Sequence, residues 1–235
     1  WLGAPLELQI HTDIGSPYFW REFVMNKIRF LLAKFLLPRA DKIRVVSERI
    51  KIYLVEKLKI EDFKIEIRPI FVDVEKIKNA PITVDLHKKY FQFDKIILMA
   101  SRLTKEKNIG LAIDAMREVA KQKPKTGLIV VGSGPEREKL KLRITNCKLE
   151  NSVILESWVD GKTLYSYYKT CDLFLVTSLY EGYGMTLVEA QAAGCPIVAT
   201  DIGVAQVLVE NDKNSYIVPV GDPDQLSWAI KQALL

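Results

Sequence analysis

Two glutamates stand eight positions apart in "LYEGYGMTLVEAQAAG", Glu181 and Glu189, with Gly182 and Gly184 between them. A helix that begins near Gly184 or Met185 exposes unpaired N–H groups at its N-terminus, and such groups bind anions. The glycines let a ligand phosphate approach the main chain closely. A carboxylate beside a phosphate is unfavourable unless it serves hydroxyls, and vicinal sugar hydroxyls suit its two oxygens. Leu187 stands where the third glycine of G-x-G-x-x-G would fall, so the dehydrogenase fingerprint is not met. Alone, the stretch supports either an anion site or a plain strand-to-helix turn. Glu189 sits in an otherwise small, apolar helix, which favours a held carboxylate over a solvated one.

Positive charge comes from "ASRLTKEKNIG". Arg102 follows an apolar run directly, and Lys107 comes five residues later, just before a helical pattern. Together they can clamp an anion, Arg as a planar fork and Lys as a point charge. Two solvated loop residues are the other reading. In "VVGSGPEREKL", Gly132 and Gly134 permit a tight turn and Pro135 suits a first helical position. A structural turn is the preferred reading there. No Gly-Lys-Ser/Thr follows, so it is not a Walker A loop.

These residues need a scaffold, and the chain supplies a rhythm. Apolar runs at 95–101, 127–132, 152–157, 172–176, 196–200 and 215–218 alternate with helical patterns at 108–122, 135–147, 161–169, 184–193, 203–210 and 222–235. Alternation of this kind predicts a parallel sheet covered by helices on both faces. Ligands of such sheets bind beyond the carboxyl ends of the strands. Residues 1–72 repeat the rhythm less completely, with strands at 6–10, 42–47 and 64–70 and helices at 19–37 and 48–58. The segment "RPIFVDVEKIKNAPIT" has prolines at 69 and 81 and no clean period, which sets a domain junction near Val72.

Composition narrows the class. Hydrophobic residues make up 49% of 235, enough for a sizeable core. Residues 1–72 carry 13 Lys/Arg against 9 Asp/Glu, and residues 73–235 carry 21 against 20, so most of the net +5 lies in the first third. That pattern does not suit wholesale nucleic-acid binding. Cys147, Cys171 and Cys195 lack metal or redox spacing, and His11 and His87 are the only histidines. A reduced, cytoplasmic setting without a metal centre is expected. No run of 18 uncharged apolar residues is present. Trp1 comes first and "WAIKQALL" ends inside a helical pattern, so a piece of a longer chain is expected.

Taken in order, Arg102, Lys107, "VGSGP", Glu181-x7-Glu189, "AxAAGCPIVAT" and "SYIVPVGDPDQL" resemble the nucleotide-binding half of the retaining glycosyltransferases of family 4, which have the GT-B fold. The resemblance runs from "SERIKIYLVEK" (47–57) through "GDPDQL" (221–226) and more faintly back to "QIHTDIG". It implies two Rossmann-like α/β domains: 1–72 as the C-terminal part of an N-terminal, acceptor-side domain, and 73–235 as a nucleotide-sugar-binding domain truncated at its C-terminus. Arg102 and Lys107 match the pair that neutralises the donor diphosphate. Glu189 matches the acid that holds ribose, and Glu181 the acid near the donor sugar. Gly184, Met185 and Thr186 offer backbone amides, Gly134 belongs to the matching glycine loop, and Val159 in "ESWVDG" lies beside the base. His11 matches a histidine facing the donor sugar. The implied reaction moves a sugar from a nucleoside diphosphate to a saccharide or lipid-linked acceptor with retention, needing no metal and no cofactor. Electrostatic stabilisation of the leaving diphosphate would carry it. A non-catalytic nucleotide-binding scaffold is the alternative. GT-B epimerases lack this Glu-x7-Glu set, and no lysine is assignable to a pyridoxal phosphorylase. The sequence departs from the family at Tyr183, usually Phe, and at "RPIFVD", usually "PNGVD". It also lacks the first domain's glycine-rich loop and the C-terminal crossover helix.

One stretch stands apart. "YFWREFVMNKIRFLLAKFLLPRADKIR" (18–44) has seven Lys/Arg against two Asp/Glu amid many large apolar residues. An interfacial helix on anionic lipid, peripheral at the inner face of the membrane, is one reading. A core-packing helix is the preferred one, because the segment lies between strands and is apolar all round.

Overall fold

The structure, a computed structural model, describes residues 5–209 and 215–235. It divides into two compact units. The first holds Trp1–Phe71 with Leu179–Gly184 and Ile202–Val204; the second holds Val72–Ser178, Met185–Asp201 and Ala205–Leu235. The two short returns to the first unit were not expected from the sequence, which assigned everything after 72 to one domain.

In the first unit, strands β1 (Glu7–Ile10), β2 (Lys42–Val45) and β3 (Ile65–Ile67) form a parallel sheet in that order. β3 is shorter than the apolar run at 64–70 suggests. Helix α1 (Pro17–Glu22) is capped by Ser16, whose hydroxyl accepts from the Tyr18 N–H, with Pro17 in the first turn. Helices α2 (Val24–Leu36) and α3 (Glu48–Leu58) follow. Ile43, Val45, Ile50 and Leu54 are the fully buried centre of this unit.

The single helix expected over 19–37 is broken at Phe23, which is extended at φ −141°, ψ 146°. No glycine or proline causes this. The buried Asn26 side chain donates to the Phe19 carbonyl at 2.9 Å and fixes α1 against α2. Trp20 stacks on Phe30 and donates to the Ile14 carbonyl. The core-packing reading of this segment also needs correction. Only one face of α2 packs, through Asn26, Phe30 and Ala33. The opposite face is exposed.

The second unit is built on six parallel strands: β4 (Lys95–Ala100), β5 (Thr126–Val131), β6 (Val153–Glu156), β7 (Leu173–Val176), β8 (Ile197–Thr200) and β9 (Tyr216–Val218). Strands β5, β7 and β8 are buried at every position, as a sheet covered on both faces requires. Helices α4 (Val74–Asn79) and α5 (Leu86–Lys89) precede the sheet. Helices α6 (Ile109–Gln122), α7 (Arg137–Asn146), α8 (Gly161–Thr170), α9 (Met185–Ala192), α10 (Ala205–Leu208) and α11 (Pro223–Ala233) cover it. The aperiodic segment after Val72 thus contains a short helix, α4, and α5 follows just beyond it, each started by an aspartate cap, Asp73 and Asp85. The expected helix over 203–210 is shorter, and residue 210 lies outside the described residues.

The strand order is β6-β5-β4-β7-β8-β9. The chain winds outward from β4 to β6, then returns to β4's other side at β7 and winds the opposite way. A doubly wound sheet opens a crevice at that reversal, beyond the carboxyl ends of β4 and β7.

Candidate active site

The loop after β4 begins with Ser101 and Arg102, and it is laced to the loop after β5. The Ser101 N–H donates to Val131 O at 3.1 Å, the Leu103 N–H to Ser133 O at 2.9 Å, and the Glu136 N–H to Leu103 O at 3.0 Å. A Cβ on Gly132 would fall 1.9 Å from Ser101 O, so the approach of the two backbones requires glycine there. This lacing sets Ser133 beside Arg102 at the mouth of a cavity of about 200 Å³. Ala100, Val131 and Leu164 give it an apolar floor, and Trp158 and Val159 line it from the loop after β6. Thr186, in the first turn of α9, adds a hydroxyl. Asp160 steadies the Trp158–Val159 loop by accepting from the Thr163 N–H at 2.8 Å, which caps α8.

Arg102 is exposed, and its guanidinium reaches Glu106 at 3.2 Å. Lys107 closes a short turn whose backbone is pinned from the neighbouring strand. The fully buried Thr177, just past β7, donates to the carbonyls of Lys107 and Asn108 at 2.9 and 3.0 Å. Asn108 is left-handed at φ 47° and turns the chain into α6. The two strands that flank the reversal are therefore tied together at the point where the cations leave the sheet.

Glu189 lies one turn into α9 and shares a face with Thr186. It is half-buried, and its Oε2 accepts a hydrogen bond from the Tyr168 hydroxyl at 3.0 Å. Burial pushes the Glu189 carboxyl above the usual carboxylate range, and the Tyr168 bond partly offsets this. Tyr168 is itself buried, edge-on to Phe174, and burial raises its own pKa, so it remains a protonated donor.

The remaining expected residues belong to the first unit. His11 follows β1, with Nε2 3.3 Å from Gln9 Oε1. The segment bearing Glu181 rests directly on it, since a Cβ on Gly182 would fall 1.8 Å from His11 O. Gly182 was expected to admit a ligand phosphate; its close neighbour is instead the His11 carbonyl. Gly203 lies under this segment, with the Val204 N–H donating to Tyr183 O at 3.0 Å. Gly184, at φ 94°, delivers the chain to Met185 and the first turn of α9.

Three residues escaped the sequence reading. Ser133 was hidden between two glycines, Trp158 beside Val159, and Thr177 within an apolar run that read simply as strand. Gly134 is not itself on the cavity wall; Ser133 is. Among the described residues, no group of three or more His, Cys, Asp or Glu is placed to hold a metal ion. Among the same residues, no helix is long and apolar enough to cross a membrane.

Known proteins align with this arrangement. The chain is 30% identical over 217 residues, 90% of its length, to the Campylobacter jejuni N-acetylgalactosamine-N,N'-diacetylbacillosaminyl-diphospho-undecaprenol 4-alpha-N-acetylgalactosaminyltransferase, of which it spans 57%. It is 36% identical over 143 residues, 59% of its length, to the GtfA subunit of the Streptococcus agalactiae UDP-N-acetylglucosamine–peptide N-acetylglucosaminyltransferase, spanning 28% of that protein. The crystal structure of Anabaena HepE in complex with UDP superposes with TM-score 0.80 at 25% identity, over 98% of this chain and 62% of that one. The chain thus spans less than two thirds of each relative's length. Its fold is the α/β GT-B fold, in which both sheets are parallel and Rossmann-like. The family described as glycosyl transferases group 1 matches residues 86–235, which hold all six strands of the second sheet, the loops bearing Arg102, Lys107 and Val159 and the helix bearing Glu189, and the chain belongs to that family.

Proposed function

We infer that the chain serves a glycosyltransferase that moves a sugar from a nucleoside diphosphate to an acceptor hydroxyl with retention of anomeric configuration. The second unit takes the donor and the first lies on the acceptor side. The reading rests chiefly on the cavity at the strand-order reversal, where Arg102, Ser133 and Thr186 ring an apolar floor of nucleobase size. Arg102 and Lys107 neutralise the diphosphate, and the amides of Gly184, Met185 and Thr186 add the helix N-terminus. Glu189 accepts from the ribose hydroxyls, Val159 and Trp158 border the base, and Glu181 and His11 face the transferred sugar. Gly134 holds the loop that carries Ser133. With two cations and a helix dipole on the diphosphate, neither metal nor cofactor is required.

UDP is the expected nucleotide, in keeping with the UDP bound to HepE and the UDP-sugar named for GtfA. The acceptor is taken as a saccharide or a lipid-linked saccharide, after the Campylobacter relative. Calorimetry with UDP, GDP and ADP tests the donor site. UDP is expected to bind most tightly, and chelation with EDTA is expected to leave its affinity unchanged. If none of the three binds, the donor reading is wrong; if affinity disappears with EDTA, a metal carries the diphosphate charge.

Tyr168→Phe gives a finer test of Glu189. The substitution removes the hydrogen bond that lowers the Glu189 pKa, so that pKa rises further above 4.5. Ribose binding uses the carboxylate, so UDP affinity should fall as pH drops through the raised value. In the variant this acid limb shifts to higher pH. For folding the sign is opposite. The carboxyl holds its proton more tightly folded than unfolded, so its contribution is full below about 4.5 and is lost as pH rises through the folded value. An unchanged pH profile of UDP binding in the variant would remove Glu189 from the ribose.

A further inference from the structure

Strand β6 ends on a charge. Glu156 is its last residue, and the strand lies at the edge of the sheet. Yet the Glu156 side chain is only 10% exposed. A carboxylate so enclosed is costly unless donors meet both of its oxygens, and here they do. Lys89, at the end of α5, and the Tyr90 hydroxyl both donate to Oε1. The hydroxyl of Tyr167, a buried residue of α8, donates to Oε2 at 3.0 Å. Lys89 also donates to the Tyr167 hydroxyl at 2.6 Å, which joins the four side chains in one network.

The main chain is held at the same residue. Arg137, in the first turn of α7, donates to Glu156 O at 3.1 Å and to Leu155 O at 2.9 Å. The Gly132 N–H donates to Glu156 O at 3.3 Å. Beyond Glu156 come Ser157, Trp158 and Val159, and then Asp160, the cap that starts α8. Trp158 and Val159 line the cavity beyond the strand ends. Their short link is therefore fixed at both ends. The Tyr167 bond closes a ring, running from Glu156 through the link, along α8 and back to the Glu156 carboxylate.

We propose that Glu156 is a positioning residue for nucleobase selection: clamped by Lys89, Tyr90 and Tyr167, it sets the path of Trp158 and Val159 and, through them, which base the cavity accepts. Apolar side chains could close the end of an edge strand at less desolvation cost. A paired carboxylate instead defines one geometry, because its bonds are directional. This role rests on the reading of the cavity as a nucleobase site. Arg102 and Lys107, which serve the diphosphate in that reading, lie on a different loop, so base and phosphate contributions are separable by mutation.

Calorimetry with UDP, GDP and ADP, on the unaltered chain and two variants, tests the role. Tyr167→Phe removes one hydroxyl and keeps the packing and the Lys89–Glu156 pair. It should lower affinity for the preferred nucleotide about fivefold. Glu156→Gln also removes the charge and should lower it about tenfold. Affinity for the other two nucleotides, held through diphosphate and ribose, should stay within about twofold, so discrimination between bases narrows. A merely structural role lowers all three alike, and that result overturns the proposal. So does an unchanged affinity ratio in Tyr167→Phe, whose circular dichroism spectrum should match that of the unaltered chain. If the unaltered chain binds all three nucleotides equally, the cavity reads no base and the role of Glu156 fails while the donor reading stands. If it binds none, the donor reading fails first and takes this role with it.

Discussion

Arg102→Ala is expected to lower transferase turnover by about a hundred- to a thousandfold, the loss seen when one preorganised donor to a developing anion is removed. The size follows from what the diphosphate requires. In the proposed transfer, negative charge grows on the leaving phosphate as the glycosidic bond breaks, and the Arg102 guanidinium would meet it. Arg102 sits on a loop whose path is set by backbone hydrogen bonds at Ser101 and Leu103, not by its own side chain. Its side chain is 74% exposed and pairs along the same turn with Glu106, so its removal should leave folding stability within about 0.5 kcal/mol. Lys107→Ala should lower turnover alike, while Thr177 still holds the backbone carbonyls of Lys107 and Asn108. Arg102→Lys keeps the charge and loses the fork, and should fall between. Steady-state rates give the first readout; UDP affinity gives a second that needs no acceptor. Near-normal turnover in both alanine variants would rule out the clamp.

Much of this arrangement was written in the sequence because its signals are local. The runs at β4, β5, β7 and β8 are continuously apolar, as strands buried on both faces must be, and the helical patterns between them admit few topologies. The rule that ligands gather beyond the carboxyl ends of strands singled out Arg102, and the family resemblance added Val159 and Thr186; all three line one cavity. What stayed hidden depends on distant partners. The break at Phe23 has no local breaker; it comes from Asn26 reaching back to Phe19. The caps Asp73 and Asp85 were visible, but the prolines at 69 and 81 made the segment read as a linker. Thr177 could not be told from its strand, since its task is to hold a loop seventy residues earlier in the chain. An all-round apolar helix such as α2 likewise does not announce which face the rest of the fold will cover.

Gly134→Ala is expected to cost about 4 kcal/mol or more of folding stability, in the range reserved for a named structural fault. Gly134 has φ 158°, and a Cβ there would lie 2.4, 2.7 and 2.8 Å from the O, C and N atoms of Leu103. These are main-chain atoms of a fully buried residue, so no side chain can swing aside to make room. The Leu103 N–H and O are both engaged with this same loop, through Ser133 O and the Glu136 N–H, and moving the backbone apart would break both bonds. Because Arg102 immediately precedes Leu103, the variant should also lose UDP affinity if it folds. Gly194→Ala is the matched comparison. It too has a positive φ, 78°, but an added Cβ meets nothing within 4 Å. Its cost should be only the conformational one, about 1–2 kcal/mol. Urea unfolding of the two variants separates backbone strain from backbone collision. Should Gly134→Ala prove as mild as Gly194→Ala while UDP affinity still collapses, the glycine serves ligand approach rather than the lacing of the two loops. Loss of both together makes the loop pair a single support, in which the glycines seat the chain that carries Arg102.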